Sequence, residues 1–181
     1  AASSPLQEPG RRKTSSERQG MSHPIEIVSL SKTFVGKKRV RVEALNELSL
    51  TINQGEVFGF LGPNGAGKST TIKILMGLIA ATAGTARLYG MPVVKPDSRR
   101  QVGYLPENPA LYDFLTAREY LAFVGRAFNM EEGAIASRSA EVLDLLQLSE
   151  AAGRPIRSYS KGMVQRLGLA QALLHDPDLY I

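Results

Sequence analysis

Eight residues in the first half of the chain, Gly62-Pro63-Asn64-Gly65-Ala66-Gly67-Lys68-Ser69, have the types and spacing to hold an anion. Glycines at this density let successive backbone N–H groups turn inward and approach phosphate oxygens closely. The pattern G-x-x-x-x-G-K-[ST] also starts a helix near Gly67, whose free N–H groups and positive dipole end face the same anion. Lys68 then reaches the β- and γ-phosphates of a nucleoside triphosphate and neutralises charge that builds as the terminal bond breaks. The Ser69 hydroxyl is placed to ligate an Mg²⁺ bridging those two phosphates, and Thr70 adds an α-phosphate contact.

The context expected of such a loop is a buried strand before it and a helix after it, and the flanking sequence offers both. Residues 57–61 are apolar without alternation, as in a strand covered on both faces. Beyond the loop, Ile72, Leu75, Met76 and Ile79 share one face of an expected helix. Upstream, Ile25, Ile27 and Leu30 open a strand-like stretch that reaches Phe34. Leu48, Leu50 and Ile52 alternate with polar residues, and Gln54-Gly55 reads as a turn. Residues 84–89 and 102–105 read as further strands.

The second half is helical. Thr116 and Glu119 form a capping-box pattern before a helix with Tyr120, Leu121, Val124 and Phe128 on its apolar side. A second helix carries Ile135, Val142, Leu143 and Leu146. A third runs from about residue 162 to 174, with Met163, Leu167, Ala170 and Leu174 spaced for a buried face. Asp176-Pro177-Asp178 breaks it as a turn, and residues 179–181 begin another strand.

Composition narrows the chemistry further. Of 181 residues, 43% are hydrophobic and 22% charged, which excludes a wholly disordered, collagen-like or coiled-coil chain. The absence of cysteine excludes a disulfide framework, a thiolate nucleophile and Cys-ligated zinc. Two histidines, His23 and His175, argue against a multi-His metal site, and His175 stands at a helix end where a cation suits the dipole. The longest apolar run, residues 74–81, falls well short of the roughly 18 residues of a spanning helix. The net charge of +5 is local: residues 1–20 carry +2 and residues 37–41 carry +4, leaving −1 elsewhere. That distribution argues against a broad nucleic-acid-binding face, and 37–41 reads as a solvated loop beside a strand. Residues 1–20, rich in Ser, Pro, Gly, Gln and Arg, are expected to be a disordered tail, upstream sequence or an expression remnant, with Met21 the natural start.

Two further segments narrow the class of phosphate-binding protein. Tyr159-Ser160-Lys161-Gly162-Met163-Val164-Gln165-Arg166 opens the third helix, and Val102-Gly103-Tyr104-Leu105-Pro106-Glu107 precedes the helical half. With the loop at 62–69, in this order and separation, they resemble the nucleotide-binding subunit of ABC transporters over about residues 25–181. The resemblance implies an α/β fold, a P-loop NTPase domain of ABC type with an inserted helical subdomain. Residues 21–181 would be a partial domain: core 25–105, helical subdomain about 106–160 and signature helix 162–174, its sheet incomplete at the C-terminus.

The resemblance also assigns roles. Residues 159–163 stand where the family has its LSGGQ signature; Ser160 and Gly162 match, while Tyr159, Lys161 and Met163 depart from it. In the family that serine and glycine contact the γ-phosphate of ATP held by the opposite subunit, so that two cassettes close head-to-tail. Glu107 stands at the Q-loop position, where glutamine is usual; it offers oxygen to Mg²⁺ or a water, adds a negative charge, and links nucleotide state to the membrane subunit. Phe34, after Leu30-Ser31-Lys32-Thr33, matches the aromatic A-loop position, whose ring stacks on adenine. Taken alone, Ser160 reads as a plain helix cap, Glu107 as a solvated carboxylate and Phe34 as core.

The implied protein binds Mg·ATP, hydrolyses it when intact, and drives export through a partner permease, the GYLPE form resembling the branch whose membrane subunits are separate chains. Its expected place is cytoplasmic, peripheral on the inner face of the membrane through that permease, with no direct nucleic-acid binding. By resemblance, the strand from Leu179 continues into an Mg²⁺-holding aspartate and a water-activating glutamate; neither is among the 181 residues, so the chain is expected to bind ATP without turning it over. The alternatives are a soluble ABC ATPase acting on ribosomes or nucleic acid, and an inactive fragment.

Overall fold

The computed structural model describes residues 23–36 and 39–181; the expected tail at 1–20, and Lys37 and Lys38 of the basic run, lie outside the described residues. The chain divides between Lys95 and Pro96 into two compact units.

In the first unit, strands β1 (Ile25–Val35), β2 (Arg41–Ile52), β3 (Ala83–Leu88) and β4 (Met91–Pro92) form one sheet in the order β2-β1-β3-β4. Every pairing in it is antiparallel. The register sets Ile25 between Ile52 and Leu88, and Ile27 between Leu50 and Ala86. Because side chains alternate along a strand, these rows share one face, which is buried with Leu30 and Leu45. Helix α1 (Lys68–Leu75) adds Thr71, Ile74 and Leu75 to the buried set.

Two expectations fail in this unit. The helix stops before it can use Met76 and Ile79. Gly77 takes φ 66°, the left-handed turn that glycine enters without steric cost. The Leu78 N–H then donates to Lys73 O at 2.8 Å and the Gly77 N–H to Ile74 O at 2.9 Å. That is a Schellman termination. Residues 57–61 are not a strand either; no described strand pairs with them, and their apolar side chains are largely exposed. An apolar run specifies burial only where a neighbouring backbone takes up its hydrogen bonds.

The second unit holds β5 (Val102–Gly103), α2 (Ala117–Ala127), α3 (Glu132–Leu145), α4 (Lys161–Leu173) and β6 (Leu179–Tyr180). The two strands are parallel, and the pairing is extended by Leu105 N–H to Ile181 O and Ile181 N–H to Gly103 O, both 2.9 Å. Leu121, Val142, Leu143, Leu148, Leu167, Ala170 and Leu174 form the common core of the three helices. The capping box is present: Thr116 Oγ1 accepts from the Glu119 N–H, and the Glu119 carboxylate accepts from the Thr116 N–H. The Thr116 N–H and the Thr116 hydroxyl both donate to the Glu119 carboxylate and lower its pKa from the ordinary value.

His175 stands just past the end of α4, where its environment disfavours the cation. Its ring stacks on Phe128, with centroids 3.8 Å apart, and Nε2 donates to Val102 O at 3.2 Å. Burial pushes its pKa down, against the opposing pulls of that bond and of Asp176. The cation that serves the C-terminus of α4 is instead Arg138 of α3, whose guanidinium donates to Leu173 O at 3.1 Å. Among the described residues no helix is long and apolar enough to cross a membrane.

Candidate functional site

The phosphate-type loop is held by its own backbone and by β2. Ala66 N–H donates to Pro63 O at 3.2 Å, closing a turn through Asn64 and Gly65. Gly65 and Gly67 have φ 87° and 85°, conformations that cost other residues strain. Gly67 has a second reason to be glycine: a Cβ there would lie 2.5 Å from Ala44 O and 2.5 Å from Leu45 Cδ2. The loop-to-helix junction is thus pressed against β2. Helix α1 begins at the next residue, and Thr71 locks its first turn by donating from Oγ1 to Gly67 O at 3.1 Å.

Lys68 folds back over the loop, donating from Nζ to Gly62 O at 2.6 Å and Pro63 O at 2.8 Å. Two carbonyl oxygens therefore hold the ammonium over the turn. Ser69 is exposed in the first helical turn, and Thr70 follows half-buried. The first-turn amides of α1 have no intrahelical acceptor, so the loop combines donors, a positive dipole end and a fixed cation. This arrangement is chemically suited to a phosphate chain. The donor set also fits a divalent cation carried by that chain, with the exposed Ser69 hydroxyl as the oxygen this unit would contribute.

Phe34 lies on β1 in the same unit, opposite Val42, with 41% of its surface exposed rather than in the core. The Lys32 ammonium sits 5.0 Å from its ring centroid. One face of the ring is thus matched by a cation.

Ser160, Gly162 and Glu107 belong to the second unit. Ser160 is the N-cap of α4 and accepts from Met163 N–H at 3.3 Å. The amides of Lys161 and Gly162 fall in the unpaired first turn, and nothing lies within 4 Å of a Cβ built on Gly162. Tyr159, a departure from the signature pattern, is buried and donates to Ala151 O at 2.8 Å. Its substitution serves the helical core and leaves the helix start open. Glu107 has an exposed side chain, while its carbonyl accepts from Gln165 Nε2 at 2.8 Å. Gln165 lies inside the quoted signature segment, yet its role escaped the sequence because it depends on a partner 58 residues away.

The fold and these motifs define a nucleotide-binding domain of the ABC class. Residues 45–181 match the family model described as ABC transporter, and the chain belongs to that family. It is 47% identical over 141 residues to an uncharacterized ABC transporter ATP-binding protein of Synechocystis sp., covering 77% of this chain and 40% of that one. It is 37% identical to the bacitracin transport ATP-binding protein BcrA of Bacillus licheniformis, covering 89% of this chain and 51% of that one. Among solved structures, a dimeric ATP-binding cassette bound to ADP and Pi in a post-hydrolysis state superposes with TM-score 0.77 at 25% identity. That match covers 86% of this chain and 72% of the other. The chain spans about half the length, or somewhat less, of the curated relatives it matches. It is an ABC transporter ATP-binding domain with a mixed α/β fold, in a family whose members bind and generally hydrolyse ATP.

Proposed function

We propose that this domain binds Mg·ATP at residues 62–70 and that the whole protein couples its hydrolysis to export through a partner permease. The observation that carries the reading is the Lys68 ammonium, held at 2.6 and 2.8 Å by the carbonyls of Gly62 and Pro63 at the head of α1. In this role the amides of residues 64–68 would take the β-phosphate, Lys68 the β- and γ-oxygens, and Thr70 the α-phosphate. Ser69 would ligate Mg²⁺, which supplies charge neutralisation between the terminal phosphates. Phe34 would offer its ring to adenine. Ser160 and Gly162, at the open start of α4, would meet the γ-phosphate held by a second copy, and Glu107 would stand at the Q-loop position. Similarity to a Nod factor export ATP-binding protein supports the export reading, and similarity to a bacitracin transport ATP-binding protein supports transport.

Hydrolysis needs a general base for the attacking water, and the glutamate that the resemblance assigns to this task is not among the 181 residues. Residues 1–181 are therefore proposed to bind nucleotide without sustained turnover. Fluorescent ATP titration of this chain tests the first statement, and a phosphate-release assay the second. The wild type should bind in the micromolar range and Lys68→Ala at least tenfold more weakly, about 1.4 kcal/mol. Unchanged affinity in Lys68→Ala would remove the phosphate-loop assignment. Sustained phosphate release by residues 1–181 that Lys68→Ala abolishes would refute the binding-only statement.

A further inference from the structure

Residues 103–107 run antiparallel along one face of α4, Pro109 turns back to Gly168, and three contacts hold the segment there. Near the helix C-terminus, Gly103 sits against the Ala172 carbonyl and Pro177, in space that a Cβ would occupy. One helical repeat earlier, a Cβ on Gly168 would lie 2.8 Å from Pro109 Cγ and 2.9 Å from Leu105 Cδ1. Nearest the helix start, Gln165 Nε2 donates to Glu107 O at 2.8 Å. Gln165, Gly168 and Ala172 are spaced i, i+3 and i+7, and so share one side of the helix. The two glycines permit close approach without fixing position. The Gln165 amide is the polar contact on this face that fixes where the backbone of residue 107 stops.

Resting on the function proposed above, we propose that Gln165 is a positioning residue for Glu107. It binds the Glu107 backbone to the helix whose first turn carries Ser160 and Gly162, so that these groups present themselves to nucleotide as one rigid body. Ser160 precedes Gln165 by five residues, a rise of about 7.5 Å along the helix axis. Loss of the donor would leave the glycine contacts in place and let the 107 backbone drift by a fraction of that distance. A misplacement of that order is enough to slow a positioned reaction severely.

The test uses the full-length protein that carries this domain. Gln165→Glu is nearly isosteric and removes the donor, whereas Gln165→Lys keeps one. Three readouts separate the possibilities: fluorescent ATP affinity, kcat for ATP hydrolysis, and hydrogen exchange of amides 104–110. Gln165→Glu should leave ATP affinity within about twofold, since residues 62–70 are untouched. It should speed exchange of 104–110 and lower kcat by about tenfold each, the scale of one lost hydrogen bond, and Gln165→Lys should restore both. In a Glu107→Ala background, Gln165→Glu should lower kcat little further, because the positioned group is already gone. Unchanged exchange at 104–110, or full additivity with Glu107→Ala, overturns the proposal. Failure of the wild type to bind ATP would instead strike the function proposed above, while the exchange result still judges the clamp.

Discussion

A neutral imidazole in a half-buried stack makes folding sensitive to pH at a single residue. His175 is stacked on Phe128 and bonded to Val102 O, and burial holds its pKa below the usual histidine value. Near pH 6.5, the ordinary value for an exposed histidine, the unfolded chain binds a proton that the folded chain resists. The contribution of His175 to stability is therefore fully present above about pH 6.5 and is lost as pH falls toward the lower folded value. Thermal unfolding of wild type and His175→Gln between pH 7.5 and 5 isolates the effect. The wild type should lose its stability advantage over the variant across that window. Parallel curves would show that the ring protonates freely. His175 does stand just past a helix end, as its sequence position implies, but stacking on Phe128 takes part of the ring out of water and disfavours the cation.

At the scale of the element, local rules survive where the interaction lies within a few residues. The capping box spans only Thr116 and Glu119, and the structure forms both of its bonds. Thr116→Ala should lower stability by about 1 kcal/mol, read as a fall of a few degrees in Tm that Thr116→Ser recovers. The hydroxyl also bonds the Glu119 carboxylate, whose pKa is held low by Thr116. That support stands above the unfolded pKa and disappears as pH falls through the folded one, so the cost of Thr116→Ala should shrink in acid. The 62–69 loop was legible for the same reason: the glycines, lysine and helix start that shape it are consecutive. Elements that depend on distant partners were not. The termination at Gly77 overrode the apolar periodicity that extended the helix to Ile79. The bond from Gln165 to Glu107 exists only because 103–107 runs back along α4, an alignment that spacing along the chain does not encode. Tyr159 departs from the signature pattern, and its burial and its bond to Ala151 O show it to be a core residue.

At the scale of the whole chain, the segment 57–61 is a run of neighbouring apolar residues left largely exposed. Val57 is 101% and Leu61 90% exposed, while Phe58 and Phe60 keep a tilted contact at 6.4 Å between ring centroids. Leaving an aliphatic side chain in water forgoes about 1.5–3 kcal/mol relative to burying it. A short run of high β propensity without charge or a paired backbone is also a site for association between chains. Residues 1–181 should therefore bind ANS and sediment increasingly as oligomers when concentration rises. The double substitution Val57→Ser, Leu61→Ser should reduce both effects without lowering Tm, since neither side chain contributes to the core of its unit. Equal ANS binding by the two proteins would show that the exposed apolar surface lies elsewhere. A fall in Tm would show that the segment is packed in solution. The same pair of measurements with nucleotide present extends the test to the neighbouring loop, because Gly62 follows Leu61 directly. If bound ATP orders residues 62–70 and draws 57–61 out of water, ANS binding should fall with nucleotide in the wild type and not in Lys68→Ala.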